Sequence, residues 1–138
     1  FIGSPRMNFI AAELVSADAG GARVKLANGE VLACGVDATR AKAGDAVVLG
    51  IRPEHLRVDA PTNAMHATVT FVERLGSSTQ AYCQFPGAED TLTCTLDGQA
   101  NVRDGQALAL GVAPGDTYLF DAQGQAFARL APLDAAAA

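Results

Sequence analysis

Apolar residues along this chain come in short runs, several alternating with polar residues, and the runs are separated by Gly, Asn, Asp or Pro. Alternation with period two marks a strand with one wet face, so Ile10 to Val15 and Ala22-Arg23-Val24-Lys25-Leu26 read as strands joined at Ala19-Gly20-Gly21. Asn28-Gly29 predicts a tight hairpin, because both residues tolerate positive φ, and Val31 to Val36 returns as the partner strand. Asp37 to Asp45 is a polar connection with room for one helical turn, and Val47 to Ile51 is a continuous apolar run that predicts a buried strand. That run ends abruptly in Arg52-Pro53-Glu54-His55. Pro53 locks φ and holds Arg52 extended, and a proline followed by an acid suits the first turn of a short helix.

Leu56 to Val58 adds a short strand, and the breakers Ala60-Pro61-Thr62-Asn63 carry the chain into a second half. From Met65 to Val72, the apolar Ala67, Val69 and Phe71 alternate with His66, Thr68 and Thr70, which predicts one buried face. Ala81 to Phe85 and Leu92 to Leu96 oppose each other across Pro86 to Asp90, with Cys83 and Cys94 on the apolar face. Ala107 to Val112 follows, then Tyr118 to Phe120 and Phe127 to Leu130 around the turn Asp121 to Gly124. Short strands with closely spaced turns indicate an all-β barrel or sandwich.

An internal repeat divides the chain. Gly44, Ala46, Leu49, Gly50, Ile51 and Pro53 match Gly105, Ala107, Leu110, Gly111, Val112 and Pro114, each displaced by 61 residues, as Gly105 lies from Gly44. The copies part company at the turn, where Arg52-Pro53-Glu54-His55 becomes Ala113-Pro114-Gly115-Asp116. The turn's shape is expected in both halves, and its cationic and imidazole side chains in the first only.

At 138 residues the chain can bury roughly two-thirds of its unfolded surface. The net charge of -5, with Lys and Arg scattered singly, offers no basic patch for phosphate backbones, and the absence of Trp with only two Tyr gives no stacking groove, so nucleic acid is not expected as a partner. The apolar runs fall far short of the ~20 residues that span a bilayer. Three cysteines, Cys34, Cys83 and Cys94, lack C-x-x-C spacing and read as buried thiols in a reducing compartment.

No phosphate loop, dinucleotide fingerprint, nucleophile elbow or H-E-x-x-H zinc motif occurs, so neither catalytic residues nor a metal site are expected. Glu54 and His55 are adjacent in sequence, which does not aim a base at a nucleophile, and both histidines read as surface residues. Leu75-Gly76-Ser77-Ser78-Thr79 is rich in small donors: it is a simple turn, or a nest in which Ser77, Ser78 and Thr79 hold an oxyanion.

Three motifs taken together carry a resemblance: F-I-G-S-P-R-M-N-F (Phe1 to Phe9), L-G-I-R-P-E-H-L (Leu49 to Leu56) and V-E-R-L-G-S-S-T (Val72 to Thr79). In this order the chain resembles the C-terminal regulatory part of maltose-type and glycerol-3-phosphate-type ATP-binding subunits of ABC importers. The resemblance implies an OB-like (MOP-like) β-barrel module of two related, intertwined halves, over residues 1–133 with halves near 6–60 and 64–133, and a disordered tail at 134–138. It implies a non-catalytic regulatory and dimerisation role in an importer of sugars or glycerol-3-phosphate-like solutes. The implied partners are a second copy of the chain, an ATP-binding domain that would hold ATP and magnesium, membrane permease subunits reached through that domain, and a regulatory protein. The implied location is cytoplasmic, peripheral on the inner face of the bacterial membrane. By position, Met7, Asn8 and Phe9 fall in the leading strand, Arg52, Glu54 and His55 in the joint, and Glu73, Leu75 and Gly76 in a functionally sensitive turn. The alternative is a small-ligand module of the molybdate-binding type, taking an oxyanion or sugar.

Lacking a glycine-rich loop and its lysine to cradle phosphates, the 138-residue chain is expected not to hydrolyse ATP. Phosphate release above a protein-free control that survives repurification would contradict this.

Overall fold

The alternating runs become strands in the computed structural model, which describes residues 7–88 and 91–130. The first half supplies β1 (Asn8–Asp18), β2 (Gly21–Leu26), β3 (Val31–Cys34), β4 (Val36–Asp37), β5 (Ala46–Ile51) and β6 (Arg57–Val58). The second supplies β7 (Ala64–Arg74), β8 (Ser78–Gln84), β9 (Leu92–Asp97), β10 (Ala107–Gly111), β11 (Thr117–Phe120) and β12 (Ala128–Arg129). Two five-stranded sheets run β11-β5-β1-β2-β3 and β6-β10-β7-β8-β9, and β12 pairs with β4. Phe1 and Ile2, Glu89 and Asp90, and the tail 134–138 lie outside the described residues.

Each sheet is completed by the other half of the chain. β11 pairs with β5 in the first sheet, and β6 pairs with β10 in the second. The crossings occur at two 3-10 turns, Pro53–His55 after β5 and Pro114–Asp116 after β10. Their approaches share one backbone, with Arg52 at φ -72, ψ 140 and Ala113 at φ -66, ψ 139, each followed by proline. Proline suits that position because its φ is already helical and its missing N–H would have no helical partner. The halves are therefore intertwined, and one core lies between the sheets, with Ile10, Leu49 and Ile51 from the first half packed in the same cluster as Met65, Leu110 and Leu119 from the second. All three cysteines sit in it as free thiols, and burial pushes Cys34 and Cys83 up to about 11 and Cys94 to about 12, which leaves little nucleophilic thiolate near neutral pH.

Two asparagines bind the sheets together. Asn8, buried at the start of β1, donates its amide to the Thr93 carbonyl and accepts from the Thr93 N–H, both at 2.8 Å, so one side chain acts as a strand neighbour for β9. Asn63, just before β7, does the same for β3, accepting from the Ala33 N–H at 2.6 Å and donating to the Ala33 carbonyl at 3.1 Å. It also donates to the Val112 carbonyl at 2.7 Å, from a backbone at φ 52 that asparagine tolerates better than most residues. The pair is a second repeat with a displacement of 55 residues, as Asn63 lies from Asn8. Glu30 adds a clasp between halves, its carboxylate accepting from the His66 N–H at 2.8 Å and meeting the His66 ring. Burial raises the Glu30 carboxyl, but these bonds and the Asn28 amide outweigh it and hold the group below the ordinary carboxylate value.

The long strands also bulge at equivalent places. Register shifts lie between Leu14 and Ser16 in β1 and between Val69 and Phe71 in β7. Gly44 N–H donates to the Leu14 carbonyl and Gly105 N–H to the Val69 carbonyl, both at 2.7 Å. The second bulge corrects the expected burial of Phe71: Met65, Ala67 and Val69 are buried, whereas the extra residue turns Phe71 outward to 53% exposure.

Two further expectations differ from the fold. The predicted strand Val31 to Val36 breaks at Gly35, which separates β3 from β4. A Cβ there would stand 2.9 Å from the Pro114 carbonyl oxygen, to which Gly35 N–H donates at 2.8 Å, so glycine lets the second turn close on this edge. The stretch from Asp37 to Asp45 forms no helical turn. It makes two tight turns, with Ala41 N–H on the Ala38 carbonyl and Asp45 N–H on the Lys42 carbonyl, while the Asp37 carboxylate takes the Thr39 N–H and hydroxyl.

Removing either amide leaves both the N–H and the carbonyl of one edge residue unpaired. Asn8→Ala and Asn63→Ala are each expected to lower stability by about 1–3 kcal/mol, seen as a reduced urea midpoint at unchanged slope. A midpoint equal to wild type for both would remove the clamps from the account.

Candidate functional site

The proline joint does not gather its three polar side chains into one place. Arg52 and Glu54 are exposed, Pro53 is buried between them, and His55 is half-buried with its Nδ1 shut from solvent and unpartnered among the described residues. Arg52 instead lies over the Tyr118 ring, its guanidinium carbon 5.6 Å from the ring centroid. Arg129, on β12, covers the same ring at 4.2 Å and donates to the Gly115 carbonyl in the second turn.

This aromatic corner borders the outer face of the first sheet. Met7 reaches Gly50, where an added Cβ would stand 2.6 Å from its sulfur. Phe9 pairs in register with Gly50 and meets the Phe120 ring edge-on at 5.9 Å. Phe9, Ala11, Val48 and Phe120 line an open groove of about 660 Å³. Strand alternation explains the arrangement. Phe9 and Ala11 on β1, Val48 and Gly50 on β5, and Tyr118 and Phe120 on β11 take the side opposite the buried Ile10, Leu49 and Leu119. Asn8 faces the other way and serves the clamp.

The turn between β7 and β8 lies in the other sheet. Gly76 occupies φ 86, and a Cβ on Gly98 would collide with the Gly76 carbonyl, so two glycines let this turn and the one after β9 touch. Three donors here are already committed: Leu75 N–H to the Ser78 carbonyl at 2.9 Å, Ser77 N–H to the Leu75 carbonyl at 3.2 Å, and the Thr79 hydroxyl to the Gly98 carbonyl at 3.3 Å. Thr79 is fully buried, Ser78 half-buried and Ser77 exposed, so the three do not converge on one concave nest. Leu75 projects at 54% exposure. Glu73 accepts a 2.9 Å hydrogen bond from the Tyr82 hydroxyl, and the Tyr82 ring stacks on Phe71 at 5.8 Å.

The candidate residues thus form two groups. Met7, Phe9 and Arg52 converge on the outer face of the first sheet, and Glu73, Leu75 and Gly76 cluster at one turn of the second. Tyr118, Phe120 and Arg129 were not legible as site residues. The alternation of Tyr118 with Phe120 could have suggested a shared face, but which strand lies beside it is set by the crossing at Pro114. Among the described residues, no helix is long and apolar enough to cross a membrane.

Comparison with known proteins adds what geometry alone does not supply. The family model for the MalK OB fold domain matches residues 3–56, and that for the TOBE domain matches residues 49–120. Over 131 residues the chain is 36% identical to the maltose/maltodextrin import ATP-binding protein MalK of Vibrio vulnificus strain YJ016, a match covering 94% of this chain and 35% of that protein. It is 42% identical over 129 residues to the sn-glycerol-3-phosphate import ATP-binding protein UgpC of Chromohalobacter salexigens, covering 90% of this chain and 32% of the relative. The chain therefore spans about a third of the length of these relatives. Among solved structures, the cytoplasmic molybdate-binding protein ModG shares the fold, with a TM-score of 0.71 at 16% identity, covering 86% of this chain and 98% of that one.

The Tyr82 phenol provides a local check on the second group. Its hydrogen bond to the Glu73 carboxylate, then burial, then that carboxylate's charge raise it above the ordinary value, since each favours the neutral phenol. In a Tyr118→Phe background Tyr82 is the sole tyrosine, and Glu73→Gln is expected to bring its absorbance-monitored midpoint down toward 10.0. An unmoved midpoint would mean that the two groups do not meet in solution.

Proposed function

Because the chain belongs to the TOBE domain family, its first half matching the MalK OB fold, we propose that it is the regulatory and dimerisation module of an ABC importer's ATP-binding subunit. The carrying observation is that the two domain matches together span residues 3–120, and that relatives named as import ATP-binding proteins match 94% and 90% of the chain. The imported solute is a sugar or a glycerol-3-phosphate-like compound. The module is not itself an enzyme; ATP and magnesium belong to the nucleotide-binding part of the subunit, through which the module reaches the permease at the inner face of the membrane.

Its partner is a second copy of itself. Support comes from the outer face of the first sheet, where Phe9, Ala11, Val48 and Phe120 form an apolar groove on a chain whose net charge is -5. In a symmetric pair one patch meets its own copy around a two-fold axis, so each substitution acts twice. Regulatory proteins would read the assembled pair from surfaces left outside it. Oxyanion binding at Ser77, Ser78 and Thr79 has less support, because the Thr79 hydroxyl and Ser77 N–H already have protein acceptors.

Sedimentation equilibrium over a wide concentration range is expected to show a reversible monomer–dimer equilibrium that Phe9→Asp shifts toward monomer. A single monomer mass at the highest concentration reached would mean that this module does not pair by itself.

A further inference from the structure

The aromatic corner beside the first proline turn is not explained by the fold or by the proposed pairing. The two halves provide an internal control. The turns share their backbone, yet Arg52 is replaced by Ala113 in the second copy, so the crossing does not require a cation there. Tyr118 lies 61 residues after Arg57, the same displacement that relates the two turns, so the aromatic ring also belongs to one corner alone. Arg129 completes the asymmetry from β12, anchored on the Gly115 carbonyl.

We propose that Arg52, Tyr118 and Arg129 form a binding site for an oxyanion, a phosphate or a carboxylate group. Two guanidinium groups lie 5.6 and 4.2 Å from one ring centroid, and among the described residues neither has a carboxylate within ion-pair distance. Glu54 and Asp116, the acids of the adjoining turns, form no ion pair with either arginine among the described residues. Two cations gathered at one ring make the corner locally positive on a chain of net charge -5, and an anion beside either fork is attracted there. Arg129, 4.2 Å over the ring and bonded to the Gly115 carbonyl, is held in place, and a restrained planar fork suits a pair of oxygens better than a flexible ammonium does. Arg129 uses one terminal nitrogen on Gly115 and keeps the other donors of its fork. This site lies apart from Ser77, Ser78 and Thr79, borders the apolar groove of the proposed pair, and does not rest on the transport role.

The chain carries its own reporter. It has no Trp and two Tyr, so Tyr82→Phe leaves Tyr118 as the sole tyrosine for fluorescence and for ring NMR signals. Sodium phosphate and sodium acetate are titrated separately into this variant, each against sodium chloride at matched ionic strength. A saturable Tyr118 response beyond the chloride control is expected for at least one of them, identifying a phosphoryl group if phosphate alone acts and a carboxylate if acetate alone acts. Arg52→Gln and Arg129→Gln are each expected to weaken that response about tenfold, and Arg129→Lys to weaken it as well, because charge without the fork is not enough. Unchanged urea midpoints confirm that each variant is folded. A Tyr118 response equal to that of chloride for both anions, or a response retained in the double Arg52→Gln, Arg129→Gln variant, would overturn the site and leave only general screening.

Discussion

The exchange of strands at two proline turns is the constraint on which the rest of the structure depends. A sheet that must borrow a strand from the other half cannot fold completely until both halves are present, so the two sheets share one core. The exchange also leaves β3 and β9 as edges, and unpaired edge groups invite association with other chains. Asn8 and Asn63 each cover part of an edge with a side-chain amide that offers a donor and an acceptor, matching an N–H and a carbonyl on one residue. Neither glutamate nor leucine could do so at these positions: one lacks the donor and the other has neither group.

Pseudo-symmetry separates structural requirements from added features. The turns, bulges and asparagine clamps occur in both halves, as do the bonds from Gly44 to Leu14 and from Gly105 to Val69. These are requirements of the shared architecture. The outer surfaces are not repeated. Phe9, Val48 and Phe120 line an apolar groove on the first sheet, beside an arginine corner whose counterpart turn carries alanine. Where the halves differ, the fold does not dictate the residue, and those differences are where interaction chemistry is to be sought.

That division is why family membership and geometry give complementary information. The TOBE and MalK OB fold matches say which family the chain belongs to, while a fold shared with ModG at 16% identity says nothing about ligands. Ser77 and Thr79 show the difference. Their residue types suit an oxyanion nest, but the turn already commits the Ser77 N–H and the Thr79 hydroxyl to protein carbonyls.

Much of the architecture was determined by local sequence. Period-two alternation located the strands, Asn28-Gly29 the hairpin and Pro53 the joint, because each of these signals acts over a few neighbouring residues. The repeat of the proline turn was legible for the same reason. Tertiary structure decided what periodicity does not encode, namely which strand lies beside which and on which face a residue emerges after a phase shift. Asn8 looked like one more residue of a leading strand until Thr93 stood opposite it, and Gly35 looked like strand interior until the Pro114 carbonyl approached. Phe71 fitted the apolar alternation, but one extra residue in the ladder reversed its face. Of the candidate site, the sequence indicated Phe9 and Arg52 as separate motifs. Only the crossing at Pro114 brought Tyr118 and Phe120 beside them, since a strand's neighbours are chosen by long-range packing.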